Sequence, residues 1–379
     1  MLETKLPTSE HAASQDAALV IAPRLLPWYD RHARELPWRK GPQHMKGDGG
    51  RRELADPYHV WLSEIMLQQT TVATVRAYFL KFLELWPAVE DLAQAELDQV
   101  LTAWAGLGYY ARARNLHRCA KVVAEELNGI FPDNEEALLR LPGVGPYTAA
   151  AIAAIAFDRP AAVVDGNVER VIARFYALRE PLPGVKTTIR ALTAEQTPQE
   201  RPGDYAQAMM DLGATICTPR NPACVLCPIQ KGCQGLEQGI AAELPGKAPK
   251  KLKPTRRAFA YLFRDEAGAV LLRRRAESGL LGGMVEVPSG NWEEAPEPER
   301  DSLMDTLGHW ELLEGQVKHT FTHFHFEISL LQACVGKDGK EPIAKALGGS
   351  WYRTEEFSGL ALPTVMKKIL RQAQLLQRG

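Results

Sequence analysis

Over roughly the first two thirds of the chain, apolar residues recur at the three-to-four spacing of amphipathic helices; beyond residue 254 the pattern turns to alternation. The helical spacing begins near residue 18. It predicts a helix over 18–34 with Leu25, Trp28 and Tyr29 on its apolar side, stopped by Leu36-Pro37-Trp38-Arg39. Residues 1–17 are mixed and polar and read as a flexible extension, and Lys40 to Arg52 has no periodicity and reads as an inserted surface loop. Asp56-Pro57 is a cap followed by a first-turn proline, opening a helix that carries Trp61, Ile65, Met66 and Leu67. Further helices are predicted over 74–85 and 92–104, with turns at Trp86-Pro87 and Gly106-Leu107-Gly108.

The alternating part predicts paired strands over 258–264 and 269–275 around Asp265-Glu266-Ala267-Gly268, another strand over 320–331, and a closing helix over 363–376. Between the two regimes, 244–255 is rich in Pro and Lys and reads as a linker. The expected architecture is therefore a mostly α half over 18–243, built of two helical subdomains, followed by an α+β domain over 256–379.

One stretch of the helical half is built to meet an anion. In Leu-Pro-Gly-Val-Gly-Pro, residues 141–146, Gly143 and Gly145 give a hairpin turn its backbone freedom and leave room for close approach. The Ala-rich run Tyr147 to Phe157 then places a positively polarised helix N-terminus behind that turn. After Asp158-Arg159-Pro160, the segment Val163-Val164-Asp165-Gly166-Asn167-Val168 sets one carboxylate at a turn before a helix leading to Arg170 and Arg174.

Composition is ordinary for a globular chain of 379 residues, 45% hydrophobic and 24% charged, long enough for two or three domains. No apolar run is long enough for a spanning helix, and the first twenty residues lack a signal core, so a cytoplasmic protein is expected. A formal net charge of −1 excludes a bulk basic binder but not local patches: Lys247 to Arg257 gathers cations without an acid, while Glu293 to Asp301 is mostly acidic. Of six cysteines, Cys217, Cys224, Cys227 and Cys233 crowd into a C-x6-C-x2-C-x5-C segment, which reads as thiolate ligation of a metal. Thiolates suit both zinc and iron-sulfur clusters, although the six-residue first gap breaks the paired short knuckles usual for zinc. Cys119 and Cys334 have no partner nearby in sequence and read as buried apolar fillers.

Three further segments carry candidate chemistry. Glu64 is a lone glutamate among Trp61, Leu62, Ile65 and Met66, so it either points to water or is kept protonated in a semi-apolar pocket. Gly106 to Val123 interleaves Tyr109 and Tyr110 with Arg112, Arg114, His117, Arg118 and Lys121; this is either an amphipathic helix with a basic face or a nucleic-acid contact by stacking and phosphate pairing. Lys318-His319-Thr320-Phe321-Thr322-His323-Phe324 alternates rings and polar groups.

Together these motifs resemble the DNA base-excision glycosylases of the helix-hairpin-helix superfamily with a Gly/Pro-rich loop and an aspartate. The cysteine spacing resembles the 4Fe-4S loop (217–233) of the endonuclease III and MutY branch, and WLSEIMLQQTTVATV resembles the MutY signature. The resemblance covers about residues 18–375 and is most specific in the helical half. It implies a base-excision repair enzyme that hydrolyses the N-glycosidic bond of adenine opposite 8-oxoguanine or guanine in double-stranded DNA, carrying one 4Fe-4S cluster. On the matching positions it implies Glu64 as catalytic acid and Asp165 as stabiliser of the sugar cation, with Asn167 orienting the aspartate and Tyr147 and Arg39 in the base pocket. It further implies the hairpin (141–149) with Gly143 and Gly145 on the backbone, Gln69 and Thr70 reaching into the parted duplex, Tyr109 wedging beside the lesion, and Phe321, Thr322 and His323 against the oxidised guanine. Leu280 to Gly290 resembles the start of a Nudix-type fold, but the acidic metal-binding box after Glu286 is missing, so the module is expected to bind and not cleave. Bifunctional relatives of the endonuclease III type, which act on oxidised pyrimidines and cleave the strand, have a lysine where this chain has Tyr147, so a monofunctional hydrolase is expected. A monomer working on nucleoid DNA in the bacterial cytoplasm, away from membranes, completes the expectation.

Overall fold

The computed structural model describes residues 20–42, 53–249, 252–276 and 279–376. The expected N-terminal extension and nearly all of the 40–52 insertion lie outside the described residues. In chain order come α1 (Ala22–His32), α2 (Pro57–Leu67), α3 (Val72–Leu85), α4 (Val89–Gln94), α5 (Leu97–Ala103), α6 (Ala111–Glu126), α7 (Glu135–Leu138), α8 (Pro146–Phe157), α9 (Gly166–Phe175), α10 (Lys186–Gln196), α11 (Pro202–Thr215) and α12 (Gln234–Glu237). An α+β part follows: β1 (Thr255–Asp265), β2 (Val270–Arg274), β3 (Val285–Glu286), α13 (Ser302–Leu307), β4 (Glu311–Thr320), β5 (His325–Val335), α14 (Lys340–Leu347), β6 (Gly349–Tyr352) and α15 (Thr364–Gln372). A helical region followed by a mixed module is the fold class the periodicities predict. Contacts gather the chain into two compact units that do not follow this linear order: Met1–Trp61, Pro132–Arg140 and Val144–Ala248 form one, and Leu62–Phe131, Leu141–Gly143 and Pro249–Gly379 the other.

In the first unit α11 is the central element, buried from Pro202 to Gly213 and packed on α1, α8 and α9. Small residues permit that crowding. A Cβ on Gly203 would lie 2.4 Å from Ala154 O of α8, and one on Gly213 would lie 2.5 Å from Asn167 Cβ of α9. The Ala-rich α8 is buried from Thr148 to Ala156, as a helix apolar all round must be. Charged groups inside α11 are paired, because an unpaired buried ion is costly: Arg201 Nε donates to Asp204 at 2.9 Å, and Asp211 accepts from Arg34 and Arg39.

In the second unit α6 packs on α4 and α5. The single helix expected over 92–104 is broken. Glu96 starts α5 with its backbone N–H donating to Gln99 Oε1 at 3.1 Å, so local capping ends one helix and begins another where apolar spacing alone runs on. The sheet runs β3-β2-β1-β5-β4, with β6 paired to β2. β1 and β2 form the expected hairpin, and β1 lies parallel to β5 from Thr255↔His325 to Asp265↔Val335. Alternation along β1 sends Ala258, Ala260 and Leu262 to the face covered by Met366, Ile369 and Leu370 of α15, while Tyr261 and Phe263 meet Met304 of α13 and Ile343 and Leu347 of α14.

Two expectations fail here. The strand predicted over 320–331 contains a chain reversal at 321–324, closed by Phe321 N–H donating to Phe324 O at 2.9 Å. Alternation hid the turn because the Phe321 and Phe324 rings both pack against Trp292 on the apolar side. Cys119 is buried as expected, but Cys334 is exposed: near the end of β5 the pleat turns Ala333 and Val335 inward and Cys334 to water.

Candidate functional site

Asp165 is the N-cap of α9, and its carboxylate is held at three points. Oδ1 accepts from the backbone N–H groups of Asn167 and Val168 at 2.9 and 2.8 Å, and Oδ2 accepts from Asn167 Nδ2 at 2.8 Å. The chain of hydrogen bonds continues. Asn167 Oδ1 accepts from Arg170 Nη2 at 2.9 Å, and Arg170 also donates to Gly213 O at 2.6 Å and to Cys217 O at 2.7 Å. One turn of α9 therefore ties the candidate carboxylate to the cysteine segment. Burial lowers the Arg170 guanidinium from its ordinary range, opposed by the charge of Cys217.

In the same unit, Arg39 Nη1 donates to Asp211 Oδ1 at 2.7 Å, and Asp211, fully buried, also takes the Arg34 backbone N–H at 3.0 Å and its Nε at 2.6 Å. Arg39 is thus fixed by a carboxylate on α11. Tyr147, in the first turn of α8, directs its hydroxyl to Met210 Sδ at 3.7 Å. Gly145 caps α8 at φ −94°, which any residue adopts; what glycine supplies there is open space, since an added Cβ would meet nothing within 4 Å. Conformational freedom is needed only at Gly143, with φ +76° and an added Cβ 2.6 Å from Asn115 Cβ.

The four clustered cysteines line one cavity, together with Arg174, Pro222 and Leu236. Burial, first of all, pushes the Cys227 thiol up to about 12 and raises Cys233, so these sulfurs need a cation beside them to be thiolates. Among the described residues no three His, Cys, Asp or Glu side chains are arranged to hold a single metal ion. Four sulfurs around one cavity can together ligate one metal centre, zinc or an iron-sulfur cluster.

In the second unit, Glu64 is 4% exposed in α2, so a solvated surface glutamate is excluded. Past Leu67 the helix stops: Gln69 is left-handed at φ +60° and exposed, with Thr70 beside it in the turn. Arg112 braces this corner, donating to Ile65 O at 2.9 Å, Met66 O at 3.1 Å, Gln68 O, Leu107 O at 3.0 Å and Gly108 O at 3.2 Å. Of the two readings left open for the 106–123 segment, Arg112 has a structural role here, and burial holds its guanidinium down to about 10. Arg114 likewise donates to Gly282 O. Tyr109 is also left-handed, at φ +47°, and 48% exposed. Non-glycine residues held in that region store strain, a feature concentrated at functional positions. The Tyr109 hydroxyl meets Thr322 Oγ1 at 2.5 Å. Thr322 and His323 are exposed at the 321–324 turn, whereas the Phe321 ring is drawn into an aromatic cluster with His319, Trp292 and Phe324.

Sequence reasoning missed Asp211, the Arg170 link and the buried Arg174. The signal for Asp211 was present: a lone carboxylate in Ala208-Met209-Met210-Asp211-Leu212-Gly213 has no polar face to occupy. For Arg170 the signal was its i, i+3 spacing from Asn167, whose Oδ1 it reaches; for Arg174 there was none, since its partners lie more than forty residues away in sequence.

These features define a class. Residues 62–194 match the family model of the HhH-GPD superfamily base excision DNA repair proteins, residues 217–233 the iron-sulfur binding domain of endonuclease III, and residues 258–372 the NUDIX domain. The chain is 37% identical to the adenine DNA glycosylase of Rattus norvegicus over 99% of its own length and 82% of the relative's, and 37% identical to that of Homo sapiens over 98% and 77%. A solved thermostable thymine-DNA glycosylase aligns at a TM-score of 0.49 and 30% identity, covering 58% of this chain and 96% of that one. The chain belongs to the adenine DNA glycosylase family, enzymes of base-excision repair. No described helix is long and apolar enough to cross a membrane.

Proposed function

We propose that this enzyme is a monofunctional hydrolase acting on adenine mispaired with 8-oxoguanine or guanine in double-stranded DNA. Its working domains are 18–243 for excision and 256–379 for reading the oxidised base, joined by 244–255, and it works as a monomer on nucleoid DNA in the cytoplasm. The observation that carries the reading is Asp165, whose carboxylate is aimed by two backbone amides and Asn167 at the positive end of α9.

The adenine must first leave the stack, because its glycosidic bond is out of reach inside the duplex. Glu64 donates a proton to the five-membered ring, so that the base departs neutral with the bonding electron pair of its link to the sugar. Asp165 stabilises the oxocarbenium-like sugar that remains, and water adds to it, releasing a proton. Tyr147 and Arg39 shape the base pocket, Gln69, Thr70 and Tyr109 enter the parted duplex, the hairpin with Gly143 and Gly145 grips the backbone, and Phe321, Thr322 and His323 face the oxidised guanine. Cys217, Cys224, Cys227 and Cys233 would hold a 4Fe-4S cluster, which supplies a charged centre that orders its loop. No lysine stands in α8 to attack the sugar as an amine.

Single-turnover cleavage of A:8-oxoguanine, A:G and thymine-glycol duplexes tests this. Adenine release from the first two is expected, with Glu64→Gln binding but not cutting. A DNA adduct trapped by borohydride, or preference for thymine glycol, would overturn it.

A further inference from the structure

Arg174 lies near the end of α9 with its side chain pointed at the cysteine cavity, 2% exposed. Its Nε donates to Leu244 O at 2.9 Å, Nη1 to Thr218 O at 2.8 Å and Nη2 to Pro219 O at 3.2 Å. The remaining contact is to sulfur: Nη1 to Cys217 Sγ at 3.3 Å. Among the described residues no carboxylate pairs with it. Other buried charges in this unit are treated differently, Asp204 and Asp211 each having an arginine and Arg170 reaching Asp165 through Asn167. A guanidinium cannot shed its charge, and neutral carbonyls satisfy its donors without cancelling it. Leaving a fully buried cation without an anion is strongly destabilising. What lies against it is a set of four thiols which, ligated to iron, form an assembly of net negative charge.

We propose that Arg174 is the counter-ion of the iron-sulfur cluster, pairing with it through Cys217 and biasing it toward its more reduced state. This rests on the reading of the four cysteines as its ligands. The direction follows from charge, because a cation and an N–H···S bond both favour the form with more negative charge on sulfur. The main chain at this residue serves the same loop: Cys233 Sγ lies 3.6 Å from Arg174 O, and an added Cβ on Gly235 would lie 2.4 Å from that oxygen. Arg174 is a positioning residue. It touches a ligand and not the DNA chemistry.

The test compares the full-length wild type with R174K and R174Q, measuring iron and sulfide per chain, iron release to a chelator, and the one-electron oxidation equilibrium of the cluster. Wild type must first contain iron and sulfide; if it holds neither, the ligand reading fails and this proposal with it. Given a loaded wild type, R174Q should release iron at least about tenfold faster. Whatever cluster it retains should favour the oxidised form about tenfold more, a potential lower by about 59 mV for one electron. R174K keeps the charge but not the planar fork, so it should remain loaded, release iron faster than wild type, and keep its oxidation equilibrium within about threefold. A loop brace without electrostatic function predicts otherwise: equal iron loss in both variants and no change in the equilibrium. That result overturns the proposal, as does R174K purified without iron from a folded chain that reconstitution with iron and sulfide fails to refill. Should R174Q not accumulate, R174M, which removes the charge and keeps an unbranched stem, takes its place against R174K, with the same outcomes expected and the same ones overturning the proposal.

Discussion

Among the described residues, the Asp165 carboxylate takes its hydrogen bonds from the two residues that follow Gly166, so its aim depends on Asn167 more than on any distant group. The amide of Asn167 is itself fixed from the other side by Arg170. Hydrogen bonds to a charged acceptor contribute about 1.5–3 kcal/mol, which in a transition state corresponds to about 10–100-fold in rate. Asn167→Ala should slow single-turnover adenine release by about that factor while DNA affinity, followed by fluorescence anisotropy, stays within about threefold. A variant as fast as wild type would show that the carboxylate needs no such guide. Arg39 is held by the same logic in a different place, with buried Asp211 fixing both it and Arg34.

Helices and strands were legible wherever burial on one face set the period. α2, α3, α8, α9, the β1-β2 hairpin and α15 all stand where spacing and caps put them, because capping and apolar repeat are local. What escaped was decided across the chain or by local chemistry that mimics a repeat: the α4-α5 break at Glu96, the 321–324 turn inside an alternating run, and the centrality of α11, whose glycines matter through what they approach. Gly213→Ala illustrates this. Its Cβ would meet Asn167 Cβ at 2.5 Å and Asn167 backbone at 3.1 and 3.2 Å, so α9 must shift at its N-terminus. Loss of about 1–3 kcal/mol in stability is expected, with slowed adenine release because Asn167 moves too. Denaturant melts and single-turnover rates check both. On α6, His117 is buried with Nε2 donating to Ala95 O at 2.8 Å, and burial, opposed by that hydrogen bond and by Glu96 and aided by Lys121, lowers its pKa from 6.5. Its folded value lies below the unfolded one, so its contribution is complete above about 6.5 and is lost as pH falls through the folded value. The drop in urea midpoint between neutral pH and about pH 5 should be smaller in His117→Gln than in wild type; an identical drop would exclude His117 as its source.

At the scale of the whole molecule, a net charge of −1 gives no long-range pull toward DNA, so recognition must come from local, shaped contacts. Within the second unit, the helical segment 62–131 and the α+β module touch through polar groups at exposed or half-buried positions: Tyr109 with Thr322, Asp98 with Arg274 at 2.5 Å, and Arg114 with Gly282 O. Exposed pairs contribute only about 0–1 kcal/mol, so these contacts set register between Tyr109 and the 321–324 turn without locking them. If the two hydroxyls present one combined surface to the base opposite adenine, removing either should spoil it, and removing the second should add little. Tyr109→Phe and Thr322→Val should each lower the preference for A:8-oxoguanine over A:G by about 2–10-fold, the worth of one hydrogen bond. The double variant should fall no further than the worse single one, and Thr322→Ser, which keeps the hydroxyl, should retain the wild-type ratio. Losses that multiply in the double variant would mean that Tyr109 and Thr322 act on the duplex independently, and that their contact is incidental to selection.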